Sequence, residues 1–234
     1  MLDEQHNKAD LVVSSDKEWG NILASIEFVV SQDLPKHATL LDVGCHIGSL
    51  IYSLRQQGYC NVQGIDIDRR SVKRGRALYP ELANRIETYE GTTLPYQDAS
   101  FDVVTMFDVL EHIEYIEKFL MLEISRVLKK GGMLLFQTPN KYTNIPWEIV
   151  VHKSLTYYKT YHVSLQSYNN LKKLLSRSGF VDIAIEKRDI RTEYYKTQLK
   201  KHLGPLSGPA LFLLNCLPTR LSTNFWGRCK KPKL

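Results

Sequence analysis

Cysteine is scarce in this chain. There are four, Cys45, Cys60, Cys216 and Cys229, with no C-x-x-C pair and no histidine at zinc-ligand spacing. That excludes a disulfide scaffold and a zinc ribbon, and the expectation is reduced thiols in a cytoplasmic protein. Long hydrophobic runs are missing too. The longest, ALFLLNCL from Ala210 to Leu217, falls far short of the roughly 18 residues of a spanning helix. The opening MLDEQHNKADLVV lacks a basic segment followed by an apolar one, so no signal peptide is expected. No internal repeat or low-complexity tract is visible, which argues against solenoids and disordered linkers. Acidic residues thin out at one end. Lys187 to Leu234 holds 11 Lys/Arg against 2 Asp/Glu, so this segment carries +9 while the first 186 residues carry −3. A solvated face accounts for such a tail. So does a docking surface for anionic lipid or an acidic partner. Nucleic acid ranks third, because aromatics beyond Tyr194, Tyr195, Phe225 and Trp226 are not interleaved with the charge.

What is present is an ordinary globular composition over 234 residues, enough for one sizeable domain. Asp16 to Ser31 places Trp19, Ile22, Leu23, Ile26, Val29 and Val30 at helical spacing. After Pro35 a strand–helix rhythm sets in. ATLLDVG, NVQGIDID, RIETYE, FDVVTMFD, MLLFQTP and VDIAIEK read as six strands. Between them Ser49 to Gln57, Arg69 to Leu78, an apolar face from Ile116 to Leu128, and Gln166 to Ser178 read as helices. Lys129-Lys130-Gly131-Gly132 reads as the stop of the third of these. The alternation predicts an α/β sheet with helices on both faces.

The first strand runs into LLDVGCHIGSL, Leu40 to Leu50, a glycine turn opening a helix. Such a turn at the carboxyl edge of a parallel sheet is a generic nucleotide-ligand site. Asp66 ends the next strand, where a carboxylate can accept hydrogen bonds from both ribose hydroxyls. A dinucleotide enzyme would offer the same acid, but the spacing here is G-x-x-x-G rather than the G-x-G-x-x-G that suits a pyrophosphate. His46 stands where a middle glycine is expected. Histidine enters the left-handed backbone region more readily than most side chains, so a positive φ there is bearable.

LLDVGCHIGSL, VQGIDID, YEGTTLPYQDASFDVVTMFDVLEHI and LKKGGMLLFQTPN together resemble the class I S-adenosylmethionine-dependent methyltransferases, closest to the ubiquinone-type O-methyltransferase branch. The resemblance covers roughly residues 38 to 187. It implies a doubly wound, Rossmann-like, seven-stranded, mostly parallel sheet with a final antiparallel strand, for which Phe225 to Lys231 is the candidate. It implies S-adenosylmethionine as cofactor. Asp42, Gly44 and Gly48 would shape the pocket for its methionine portion, with His46 packing over that portion or pointing outward. Asp66 would bind the ribose, and Glu90 would lie near the adenine amino group. Phe107 and Asp108 would end the fourth strand beside the transferring methyl.

If the acceptor is a hydroxyl, a base must take its proton. His112 in LEHI is the first candidate and His162 in YHVSLQSY the second, with helix capping or lid packing as the structural alternative for each. The resemblance to quinone O-methyltransferases also implies a divalent cation at Asp108, Glu111 and His112; acidic residues favouring a helix dipole explain the same cluster. Residues 140–165, rich in aromatics and histidines, would cover a small-molecule acceptor: a quinone precursor, another lipid or a saccharide.

The expected organisation is a helical extension over 1–35, a core over 36–190, and a helical insertion with a basic closing strand over 191–234. Leu206, Leu211, Phe212, Leu214 and Leu217 in that insertion suit either core contact or peripheral attachment at the inner face of an anionic membrane. A methyltransferase acting on RNA or protein, and a non-catalytic cofactor-binding relative, are the other readings.

Overall fold

The computed structural model describes residues 21–189 and 193–233. Of the helix expected over Asp16 to Ser31, residues 16–20 and Trp19 with them lie outside that range, and the rest is helical as Ile22–Val30. The chain divides into two compact units, Met1–Pro95 with Arg191–Gln198, and Tyr96–Ile190 with Leu199–Leu234.

The first unit holds three parallel strands, β1 (Thr39–Val43), β2 (Asn61–Asp66) and β3 (Ile86–Thr88). Leu41 pairs with Gln63, and Gly64 with Ile86. Strand β1 is apolar on both faces because both are covered: Leu40, Leu41 and Val43 are all buried, and Asp42 among them. Two helices, Ser49–Gln56 and Arg69–Leu78, follow β1 and β2. They bury Ile51, Leu54 and Val72. Asp68 caps the second by accepting the Arg70 and Ser71 N–H groups.

The second unit holds β4 (Phe101–Phe107), β5 (Leu128–Pro139), β6 (Val181–Glu186) and β7 (Asn224–Lys230). β4 and β5 are parallel, while β7 runs antiparallel to β5 on one side and β6 on the other. Its core is built from Val103, Val104, Met106, Leu134, Leu135, Phe136, Leu171, Leu175 and Phe225. Across the seven-stranded sheet the order is β3-β2-β1-β4-β5-β7-β6, the mixed sheet that the sequence implied.

One boundary differs from expectation. The amphipathic segment runs as Ile116–Phe119, a π turn Leu120–Ile124 and a last turn Ser125–Val127, and β5 begins at once at Leu128. Lys129-Lys130-Gly131-Gly132 therefore does not cap a helix but forms an excursion within the strand. The register jumps from Phe101↔Leu128 to Val103↔Met133. The chain can take this path because Gly131 sits at φ 75°, and a side chain on Gly132 would lie 2.8 Å from the Lys129 carbonyl oxygen. Residues 140–165, left without a rhythm in the sequence, contain the helices Lys141–His152 and Tyr158–Tyr161.

Candidate active site

In the first unit the turn after β1 is wound through three left-handed residues, Gly44 (φ 81°), His46 (φ 51°) and Gly48 (φ 84°). His46 thus adopts the conformation expected of the missing glycine. Its backbone N–H donates to Asp66 Oδ2 at 2.7 Å, and the Asp68 N–H donates to Asp66 Oδ1 at 2.8 Å. Asp66 thereby ties the turn to the end of β2, and each oxygen still has a lone pair for a ligand hydroxyl. Gly75 of the second helix completes the cradle. A Cβ there would lie 2.3 Å from the Ile47 carbonyl oxygen, so only glycine lets that helix back the turn.

The N–H groups of Gly44 and Cys45 donate to the Ile65 carbonyl, that of His46 to Asp66, and that of Gly48 to the Cys45 carbonyl. A pyrophosphate cradle needs such groups pointing at the ligand; here they are used within the chain. The local field is negative as well. Burial first, then the Asp42 and Asp66 carboxylates, push the Cys45 thiol well above its usual range. Tyr89, which follows β3, has its phenol raised to about 12 by burial and by Asp66 and Cys45. With these four N–H groups used and two carboxylates beside it, the turn suits a cationic ligand better than a polyphosphate. Asp42 is buried, whereas Glu90 lies exposed beyond the end of β3.

In the second unit, Phe107 ends β4 with its ring 5.8 Å from that of Trp226. Asp108 follows at φ 52°, and its N–H is shared between the backbone oxygen and the side-chain Oε1 of Gln137, each 3.0 Å away. That twist sends the chain into a short turn, Leu110–His112. Glu111 is buried, and Thr138 Oγ1 donates to its Oε2 at 2.9 Å. Burial, with the Asp108 carboxylate adding repulsion, pushes the Glu111 carboxyl well above the usual carboxylate range.

His112 and His162 meet beside it, ring centroids 5.1 Å apart. His112 Nδ1 lies 2.6 Å from the Tyr161 carbonyl oxygen. A carbonyl only accepts, so Nδ1 carries the proton and Nε2 the lone pair in the neutral ring. His162 Nδ1 lies 3.2 Å from Asn144 Oδ1, which fixes its tautomer the same way. Burial, and then His112, hold the His162 pKa down to about 4. Glu111, His112 and His162 each offer one ligand atom, all within 4.8 Å of one another. Asp108 does not belong to this set, although the sequence grouped it with Glu111 and His112. It acts on Glu111 through its charge. The two histidines, 50 positions apart, come together because the Ser164 N–H donates to the Glu111 carbonyl oxygen at 2.9 Å, pinning the end of the lid to the turn after β4. Sequence reasoning missed Gln137, Thr138, Asn144 and Tyr89. Their signal, a polar residue at or just past a strand end or on the lid, is legible only once the partners are known.

The sequence and the fold have counterparts in known proteins. A family model described as a methyltransferase domain matches residues 20–185. The chain belongs to the class I S-adenosylmethionine-dependent methyltransferases. A probable S-adenosylmethionine-dependent methyltransferase of Mycobacterium tuberculosis is 34% identical over 165 residues, covering 67% of this chain and 55% of that protein. A phosphoethanolamine N-methyltransferase of Triticum aestivum is 28% identical, covering 79% of this chain and 36% of its own length. The ubiquinone biosynthesis O-methyltransferase of Idiomarina loihiensis is 35% identical over 106 residues, covering 44% of this chain and 42% of that protein. This chain thus spans about half or less of the length of these curated relatives. Among solved structures, a Haloferax volcanii methyltransferase seen in complex with the Trm112 activator shares the fold at TM-score 0.69 and 17% identity, over 96% of each chain.

Proposed function

We propose that this methyltransferase-family chain binds S-adenosylmethionine at the turn of Gly44 to Gly48 and transfers its methyl to an oxygen of a small molecule, a quinone precursor, lipid or saccharide. The cofactor fits the turn: the sulfonium and ammonium are cations, and Asp42 and Asp66 supply a negative field where the N–H groups are already used. Asp66 would hold the ribose hydroxyls, and Glu90 the adenine side. Phe107 and Asp108 would flank the methyl. The peptide geometry at His46 leaves the cofactor's methionine portion a turn of the usual shape. Because the sulfonium is already a good leaving group, the protein's task is alignment and exclusion of water.

The observation that carries the oxygen acceptor is the Glu111, His112 and His162 cluster. A hydroxyl must lose its proton as it attacks, whereas a free amine attacks with its own lone pair. His112 Nε2, left with the lone pair by the Tyr161 hydrogen bond, is the base in this reading. His162, held neutral by burial, is the second candidate and orients the acceptor. The divalent cation implied by the quinone-type resemblance is an alternative to that base, since it would take the same His112 Nε2 lone pair. Glu111, His112 and His162 would hold it with one carboxylate and two imidazoles, each imidazole fixed through Nδ1. When bound, such an ion lowers the pKa of an acceptor hydroxyl. The protein is read as cytoplasmic with peripheral attachment at an anionic membrane face, and no helix of the described residues is long and apolar enough to cross a membrane.

Calorimetry with S-adenosylmethionine tests the cofactor half of this reading. Micromolar binding is expected, weakened at least about tenfold in Asp66→Ala, the loss that follows from removing one charged hydrogen-bonding partner. Absence of binding at millimolar cofactor would overturn it in favour of a non-catalytic relative.

A further inference from the structure

The helix Ser207–Cys216, SGPALFLLNC, is apolar on every side and contains no buried residue. Helices of that composition are normally enclosed. Here Phe212 is 68% exposed, Leu213 64%, and Leu206 in the turn before them 67%. Leu203 and Leu221 are exposed at either end. Leu206, which leads into the helix in right-handed conformation, and Leu213 are seven positions apart and share one side of it, with Phe212 about 100° round from Leu213.

The helix is fixed by polar contacts at its end and by the half-burial of Ala210, Leu211 and Leu214 on its other side. Lys187 Nζ donates to the carbonyl oxygens of Asn215 at 2.6 Å and Leu217 at 2.8 Å, satisfying its C-terminal acceptors. The turn after it is held by the lid: Asn140 Nδ2 donates to the carbonyl oxygens of Arg220 and Ser222. On the other side, His202 meets Trp147 of the lid edge to face, ring centroids 5.7 Å apart. An apolar surface is thus held in place without being covered.

Charge selects what covers it. Residues 199–234 carry seven Lys/Arg and no Asp/Glu, and Lys200, Lys201 and Arg220 are exposed within three positions of Leu203 or Leu221, Arg220 with its guanidinium 5.6 Å from the Tyr168 ring centroid. A second copy of this chain would bring like charge against like charge. One face of this ten-residue helix measures about 15 Å by about 10 Å, far below the roughly 800 Å² per partner of a stable dimer. An anionic bilayer demands neither a complementary pocket nor a large area. It takes Phe and Leu side chains into the acyl boundary while Lys and Arg meet headgroup phosphates.

We propose that Leu206, Phe212 and Leu213, flanked by Lys200, Lys201 and Arg220, form a docking surface for an anionic lipid bilayer. The lid contacts its anchoring turn, so docking places residues 140–165 at the lipid surface, where a lipid-like acceptor would be met. Docking itself is independent of which atom is methylated, since it requires neither cofactor nor acceptor.

Co-sedimentation with vesicles of phosphatidylcholine alone, or with roughly one third phosphatidylglycerol, tests this on the full chain without cofactor. Binding to the anionic vesicles is expected, about tenfold stronger than to the zwitterionic ones and lost toward about 1 M salt, where screening shortens to about 3 Å. The double variant Phe212→Ser, Leu213→Ser is expected to bind about tenfold more weakly with an unchanged melting temperature. Lys200→Gln with Lys201→Gln, which leaves the apolar side chains intact, is expected to reduce binding severalfold and only to anionic vesicles. Equal binding to both vesicles, or to neither, would overturn the proposal. So would a dimer that the serine variant dissociates in the absence of vesicle binding, which would assign the surface to a second copy.

Discussion

His46 carries the cost of a non-glycine residue at φ 51°, yet its N–H is the one that binds Asp66. The left-handed conformation is unfavourable for a residue with a Cβ, while glycine adopts it freely. His46→Gly is therefore expected to raise the urea unfolding free energy by about 0.5–1 kcal/mol, with cofactor affinity unchanged or improved. A loss of stability would mean that the imidazole makes a contact worth more than the strain. His112 is tested by kinetics: His112→Ala is expected to lower kcat by about 10²–10⁴-fold while the dissociation constant for S-adenosylmethionine stays the same. His162 leaves a signature in stability. Its folded pKa of about 4 lies below the ordinary 6.5, so the unfolded chain takes up the proton first. The stabilising contribution is complete above pH 6.5 and is lost as pH falls toward about 4. Chelated wild type should lose stability across that window, and chelated His162→Gln should lose less of it.

At the scale of elements, the turn after β1 owes its shape to the helix behind it. Gly75→Ala would drive a methyl into the Ile47 carbonyl oxygen. A cost of about 1–3 kcal/mol and a weakened cofactor complex are expected from urea melts and calorimetry. Glycine at this helical position looks in the sequence like a propensity defect, and only the close approach explains it. The runs of β1 and β4 were legible because strands buried on both faces are rich in consecutive apolar residues. That of β6, antiparallel and without a buried residue, was legible because apolar and polar side chains alternate along it. β5 was harder. Gly131 and Gly132 look like a helix stop followed by a fresh strand, but the strand begins at Leu128 and bulges through them. A glycine pair serves a helix terminus and a strand excursion equally well, and local pattern does not separate the two. The lid helix Lys141–His152 was hidden for another reason: it contains Pro146 and buries none of its residues, so it shows no amphipathic period.

At the scale of the whole chain, the positions of the candidate cofactor residues Asp42, Gly44, Gly48 and Asp66, at or just past the ends of β1 and β2, follow from the strand runs themselves. The acceptor-side cluster was only half legible. Glu111 and His112 are adjacent in LEHI, but His162 joins them through the Ser164 to Glu111 hydrogen bond, and nothing in local spacing encodes that. The methyltransferase family accommodates acceptors of several kinds, and the named relatives include both an O-methyltransferase and an N-methyltransferase. The proposal of an oxygen acceptor rests on the Glu111, His112 and His162 cluster. The most direct measurement is transfer of an isotope-labelled methyl from S-adenosylmethionine into fractionated lipid, small-metabolite, RNA and protein pools. Label in the lipid or small-metabolite pool, on an ether or ester oxygen and strongly diminished with His112→Ala, is the result the account predicts. Label confined to RNA or protein, or carried on an amine nitrogen and indifferent to His112, would contradict it.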